Sequence, residues 1–114
     1  MSVNLNAQTN KEIKILNADN TYADTKKHPE YWRLIGNVSF KHNNVVMYCD
    51  SAYHYRSKEK IEAFGKIKIN QGDSIVLTGN KLKYFGLKNN AEIQGNVILI
   101  DKYMKLKTEK IFYN

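Results

Sequence analysis

Leu34-Ile35-Gly36-Asn37-Val38-Ser39-Phe40 returns as Ala63-Phe64-Gly65-Lys66-Ile67-Lys68-Ile69, and again as Ile93-Gln94-Gly95-Asn96-Val97-Ile98-Leu99. The three glycines stand 29 and 30 residues apart. Around each, apolar side chains recur at every second position, the period of a strand with one buried face. The opposite parity is largely polar: Ser39 and Lys41, then Lys66, Lys68 and Asn70. A polar mark follows each glycine by 14, 15 and 14 residues: Asp50, Asn80 and Glu109. Two positions past the mark comes an apolar residue (Ala52, Leu82, Ile111), and four positions past it a ring (His54, Tyr84, Tyr113). Self-similarity at a fixed period means one supersecondary unit stacked on copies of itself. No such unit buries its apolar face alone, so its neighbours must supply the core.

Each unit reads as a long β-hairpin. His42-Asn43-Asn44, Gln71-Gly72-Asp73 and Asp101-Lys102-Tyr103 are the turns, rich in residues that accept turn geometries. The returning arm carries Val45, Met47 and Cys49, repeated as Ile75, Leu77, Gly79 and as Met104, Leu106, Thr108. Its apolar pattern resumes after the polar mark, which predicts a bend there. In the third copy Ile98 and Ile100 put apolar groups on both faces, predicting cover on both sides of that strand. A fainter copy precedes the first: Ile13, Ile15 and Ala18-Asp19-Asn20-Thr21-Tyr22 resemble a returning arm. The loop from Asp24 to Tyr31, with the single proline Pro29, joins it to Trp32. No segment shows a 3.6-residue period. The expected architecture is all-β with little or no helix. Residues 1–12 form a flexible tail, and 13–114 a single domain of repeats at 32–60, 61–90 and 91–114 plus the partial copy at 13–31.

A chain of 114 residues suffices for one modest core. Eight tyrosines among many Ile and Val favour strands. The net charge of +7 favours anionic partners such as phosphates, acidic lipid headgroups or nucleic acid, and equally describes a plain solvated basic surface. One cysteine excludes an intramolecular disulfide and a Cys-rich metal cluster. No run approaches the 18 apolar residues of a membrane-spanning helix. Met1–Asn10 holds no intact signal peptide, although Asn6-Ala7-Gln8 fits the tail of a removed one.

The Gly-Asn-Val segment, a turn, then Cys49-Asp50-Ser51-Ala52 or Thr78-Gly79-Asn80-Lys81-Leu82 closing on tyrosine resembles the repeat of the OstA-like family of lipopolysaccharide-transport proteins. Arg33-Leu34-Ile35-Gly36-Asn37-Val38 and Ile61-Glu62-Ala63-Phe64-Gly65 look most like the forms found in Bacteroidetes-type bacteria. The likeness covers residues 13–114. It implies a V-shaped β-jelly-roll of stacked hairpins in the periplasm, with no enzymatic activity and no cofactor. Its apolar trough would take the acyl chains of lipopolysaccharide or a related acylated glycolipid, and its open edges would pair with like domains, further copies of this chain among them. Membrane contact would come only through partner proteins. Carried onto this sequence, the trough lining is Val38, Phe40, Met47, Ile67, Ile69, Leu77, Val97, Leu99 and Leu106. Lys41, Lys66 and Lys68 are the expected rim contacts to headgroup phosphates. The same apolar stripe also describes a closed core.

Other chemistries find less support. A nucleic-acid-binding β-domain would use the +7 charge and aromatic stacking, but the basic residues are spread rather than clustered. A ligand-free oligomerisation repeat is the third reading, and the sequence by itself leaves the compartment open between periplasmic and cytoplasmic. Asp50, Asn80 and Glu109 could suggest a cation ladder, yet no short loop supplies several oxygen ligands. They read as bend residues bonded to nearby backbone. Cys49 and His54 would project to opposite faces of a regularly alternating strand, which argues against a nucleophile and base. The three histidines lack metal-ligand spacing.

Overall fold

The computed structural model describes residues 12–113; all but the last position of the expected tail lies outside them. The strands are β1 (Lys14–Asn17), β2 (Asn20–Tyr22), β3 (Trp32–His42), β4 (Val45–Tyr55), β5 (Lys60–Gln71), β6 (Ile75–Phe85), β7 (Asn90–Ile100) and β8 (Lys105–Tyr113). From β3 to β8 they form a continuous antiparallel meander, and β1 and β2 both pair with β3. The only helical element among the described residues is a single 3-10 turn at Arg56–Lys58. The chain is all-β, as its period-two pattern requires.

The repeated glycines explain why this sheet is not flat. Between Ile35 and Val38 three steps along β3 oppose two along β4, from Ser51 to Cys49. Equivalent shifts fall between Phe64 and Ile67 and between Gln94 and Val97. Each glycine-bearing strand thus carries one extra residue, a β-bulge, and bulges bend and twist the strand that holds them. Two successive residues have positive φ at each bulge: Gly36 and Asn37 at 87° and 48°, Gly65 and Lys66 at 83° and 49°, Gly95 and Asn96 at 88° and 49°. The bulges lie abreast, so all the long strands bend along one line.

The bend divides the sheet into two legs. Trp32–Ile35, Ser51–Tyr55, Lys60–Phe64, Lys81–Phe85, Asn90–Gln94 and Lys110–Tyr113 form the first. Val38–His42, Val45–Cys49, Ile67–Gln71, Ile75–Gly79, Val97–Ile100 and Lys105–Thr108 form the second. In a flat sheet His42 and Tyr84 would sit at opposite ends of strands three places apart. Here His42 Nδ1 and the Tyr84 hydroxyl are 2.6 Å apart, because the legs close on each other as a V.

The core fills the angle of that V. Leu34, Ala52, Ile61, Ala63, Leu82 and Ile93 come from the first leg, and Val38, Phe40, Met47, Ile67, Ile69, Leu77 and Val97 from the second. Burying each large aliphatic side chain contributes about 1.5–3 kcal/mol, so this shared interior is what holds the legs together. Ile98 is half-buried and Ile100 is 44% exposed, so the expected cover on both faces of β7 is absent among the described residues. The sheet has one dry face.

Candidate functional site

Seven of the nine expected lining residues lie deep in the V. Val38, Phe40, Met47, Ile67, Leu77 and Val97 are at most 1% exposed and Ile69 is 3% exposed. Leu99 is half-buried and Leu106 is 43% exposed, so the inner face emerges toward solvent at the β7–β8 hairpin. All nine belong to the second leg. The facing wall, built by Leu34, Ile61, Leu82 and Ile93, was absent from the expected lining. Its signal was present in the sequence: the buried parity of β4 switches from Met47 and Cys49 to Ala52 and His54 across Asp50.

That switch corrects the alternation argument for Cys49 and His54. Both are 5% exposed and face inward, but on opposite sides of the bend. Burial, reinforced by the Asp50 carboxylate, pushes the Cys49 thiol up to about 12, so it stays protonated and poorly nucleophilic. Among the described residues no group of three or more His, Cys, Asp and Glu side chains could hold a metal ion.

The polar marks serve the bend. A Cβ at Gly36 would come within 2.8 Å of Asp19 Oδ2, one at Gly65 within 2.5 Å of Asp50 Oδ2, and one at Gly95 within 2.7 Å of Asn80 Nδ2. Asp50 and Asn80, and Asp19 in the partial copy, each pack onto the glycine of the next long strand, where no side chain fits; Glu109, on the last strand, meets no such glycine among the described residues. In the first copy Asp19 Oδ2 also accepts a 2.8 Å hydrogen bond from Asn37 Nδ2, and the Asp19 amide donates to the Gly36 carbonyl at 2.9 Å.

Where the legs meet, polar pairs close the seam. His42 bonds Tyr84, Asn43 Nδ2 donates to Asn89 Oδ1 at 3.3 Å, and the Tyr113 hydroxyl donates to Gln71. His42–Tyr84 and Gln71–Tyr113 are each 42 residues apart, about one and a half repeats. The ring positions Tyr84 and Tyr113 therefore each meet the strand end of an earlier repeat, whereas the His54 ring nitrogens have no hydrogen-bond partner among the described residues. Burial pushes the Tyr84 phenol up to about 12, keeping it a neutral hydrogen-bonding group. Behind these pairs lies a cavity of about 250 Å³ walled by Val45, Ile69 and Ala91.

The opposite mouth of the V is built differently. A cavity of about 470 Å³ opens there between Ile13, Ile15, Trp32 and His54, with Glu12, Arg56, Ser57 and Glu59 around it. Glu59 is tied in place, its Oε1 accepting from the Ile13 amide at 3.0 Å. The Arg56 guanidinium lies 4.2 Å from the centre of the Trp32 ring, a cation–π contact.

Lys41, Lys66 and Lys68 are exposed. Lys41 and Lys68 alternate with buried neighbours on the outer face of the second leg, while Lys66 sits in the bulge. The three are not gathered at the seam. The outer face of the first leg carries rings instead: Tyr31 meets Tyr53 edge-on at 4.9 Å, Tyr53 meets Phe64 at 6.1 Å, and Arg33 covers Tyr53 at 4.6 Å.

A family model described as OstA-like protein matches residues 10–114. Among solved structures, the chain is similar to LptH from Pseudomonas aeruginosa, described as the LptA-homologous periplasmic component of the conserved lipopolysaccharide transport device. The superposition has a TM-score of 0.78 at 17% identity and covers 92% of this chain and 77% of that one. At that identity the likeness is one of fold. No curated protein matches the sequence.

Proposed function

The chain belongs to the OstA-like family, and from that membership we propose that it is a non-enzymatic, periplasmic module that carries or bridges lipopolysaccharide toward the outer membrane. Its interior would receive acyl chains. The observation that carries this reading is an apolar inner face that runs unbroken through every repeat and emerges from cover at Leu99 and Leu106. The family membership and the place of LptH, a protein of the same fold, in a lipopolysaccharide transport device support it.

The physics is undemanding. Each methylene moved from water into such an interior contributes about 0.8 kcal/mol, with no need to recognise one particular chain. The β7–β8 hairpin is where a tail would first meet apolar surface. Deeper entry requires the legs to part, because Phe40, Met47 and Leu77 leave no open channel between them. The seam is the natural place for that movement, since polar pairs bridge it there. The headgroup would remain outside, where Lys41, Lys66 and Lys68 supply positive charge.

Partners of the same fold would add to the sheet. The outer edge of β8 has no strand partner among the described residues, and an open edge extends by β-augmentation. A like domain docked there would continue both the sheet and its inner face. The test is solvent extraction of protein purified from cell envelopes, followed by mass spectrometry and by binding of added lipopolysaccharide. Copurified acylated glycolipid supports the proposal. A clean extract together with no binding would refute it.

A further inference from the structure

Positive charge is distributed unevenly between the two legs. On the outer face of the second leg, one row of register runs from Lys14 and Lys41 through Val46 and Val76 to Ile100 and Lys105. The adjacent row carries Tyr48 and Lys68 and ends at Ile98 and Lys107. Neither row holds a carboxylate. Acids stand only at the borders of this face: Asp19, Asp50 and Glu109 at the bend, Asp73 and Asp101 in the turns. The outer face of the first leg is balanced instead, with Arg33, Glu62, Lys83 and Glu92 along a single row. There Lys60 pairs with Glu62 at 3.1 Å and Lys110 with Glu92 at 3.4 Å. No lysine of the second leg has an ion-pair partner among the described residues.

This face is also unusually apolar for one left to water. Tyr48 is 43% and Ile100 44% exposed, and Val46, Val76 and Ile98 are half-buried. The two apolar faces of β7 thus remain a feature that the core explains on one side only. A carried headgroup would draw on Lys41 and Lys68 at most; Lys14, Lys105 and Lys107 have no part in it.

Charge and breadth select the occupant. A second copy of the chain would set lysines against lysines. Lysine is a point charge, less suited than arginine to gripping one phosphate with two parallel bonds. From β1 to β8, with strands about 4.8 Å apart, the charges spread over roughly 30 Å, enough to meet several headgroups at once. Tyrosine and isoleucine between lysines suit the boundary of a bilayer, where rings and alkyl stems bury while charged ends stay wet.

We propose that the outer face of the second leg docks directly on a bilayer surface rich in anionic phospholipid, its lysines on the headgroups and Tyr48 and Ile100 at the boundary beneath them. Contact with the membrane is then direct rather than through partner proteins alone. Such docking goes beyond the transport reading, does not depend on it, and leaves the inner face of the V unobstructed.

The experiment is vesicle cosedimentation of the whole chain, with phosphatidylcholine vesicles either pure or mixed with phosphatidylglycerol. Wild type should bind the mixed vesicles, lose that binding as salt rises, and leave the neutral ones. A lysine near an acidic surface strengthens binding roughly 5-fold, so Lys14→Gln, Lys105→Gln and Lys107→Gln together should weaken it roughly 100-fold. The same loss of charge on the first leg, by Lys81→Gln, Lys83→Gln and Lys110→Gln, should weaken it less than about 5-fold. Equal binding to both vesicles, no binding to either, or equal losses from the two triple variants would overturn the proposal. So would tighter binding of a single-stranded oligonucleotide than of the mixed vesicles. Neutral vesicles present the same acyl chains, so these outcomes are distinct from success or failure of acyl carriage.

Discussion

Replacing Gly65 by alanine should damage this protein far more than the same change at Gly72. Both glycines have positive φ, 83° and 58°, so both substitutions strain the backbone. A left-handed conformation costs an ordinary residue about 1–2 kcal/mol. At Gly72 nothing lies within 4 Å of the new Cβ, so that strain is the whole effect. At Gly65 the Cβ would stand 2.5 Å from Asp50 Oδ2 and 3.0 Å from Asp50 Cβ, inside the closest contact carbon makes. Relieving such overpacking adds about 1–3 kcal/mol. The expected losses are therefore about 2–5 kcal/mol for Gly65→Ala and about 1–2 kcal/mol for Gly72→Ala. Guanidinium denaturation followed by circular dichroism reads both, provided the m-value is unchanged. In the Asp50→Ala background the Gly65→Ala loss should shrink by about 1 kcal/mol, since contacting residues do not add. Equal losses at the two glycines would refute the claim that the polar mark and the bulge glycine form one packed unit.

Tyr84→Phe should lower stability by about 1–3 kcal/mol, because it strands a buried His42 nitrogen, and Tyr113→Phe by less, since that pair is half-exposed; chemical denaturation measures both. Burial, then the Arg56 charge, pulls His54 down to about 4, below the 6.5 of an unfolded chain. The unfolded state therefore binds more protons between those values, so stability is complete above about pH 6.5 and declines by about 2–3 kcal/mol on acidification to pH 4.5. His54→Leu should flatten that decline in denaturation curves recorded across the pH range. Cys49 should react with an aromatic disulfide reagent at pH 8 at least about 100-fold more slowly in native protein than in denaturant, as its burial and raised pKa require.

How much was legible in the sequence differs between strands and seam. Strands follow from local alternation, and the glycine period places the bulges, so Leu34, Val38 and Phe40 announce both a strand and its buried side. The polar marks were legible as bend residues, but spacing ties Asp50 to Gly36 behind it, whereas the folded chain packs it on Gly65 ahead. Spacing alone does not distinguish the two. Alternation also failed at Asp50 itself, where the bend switches the buried parity and brings Cys49 and His54 to the same interior. The seam was hidden for a different reason. His42 and Tyr84 belong to strands that never pair, and they meet only because three bulges fold the whole sheet. For the same reason the facing wall of Ile61, Leu82 and Ile93 was not grouped with the second-leg residues. An apolar stripe on one strand reports that it is buried, not what lies opposite.

The most direct test of the transport reading is site-specific photo-crosslinking in living cells. A benzophenone side chain would replace Leu106 at the emerging end of the inner face, Leu77 within it, or Tyr53 on the outer face of the first leg. Adducts with lipopolysaccharide are expected from Leu106 and Leu77 and none from Tyr53. Crosslinking only from Tyr53, or from none of the three while lipopolysaccharide export continues through this protein, would contradict the claim that acyl chains travel inside the V.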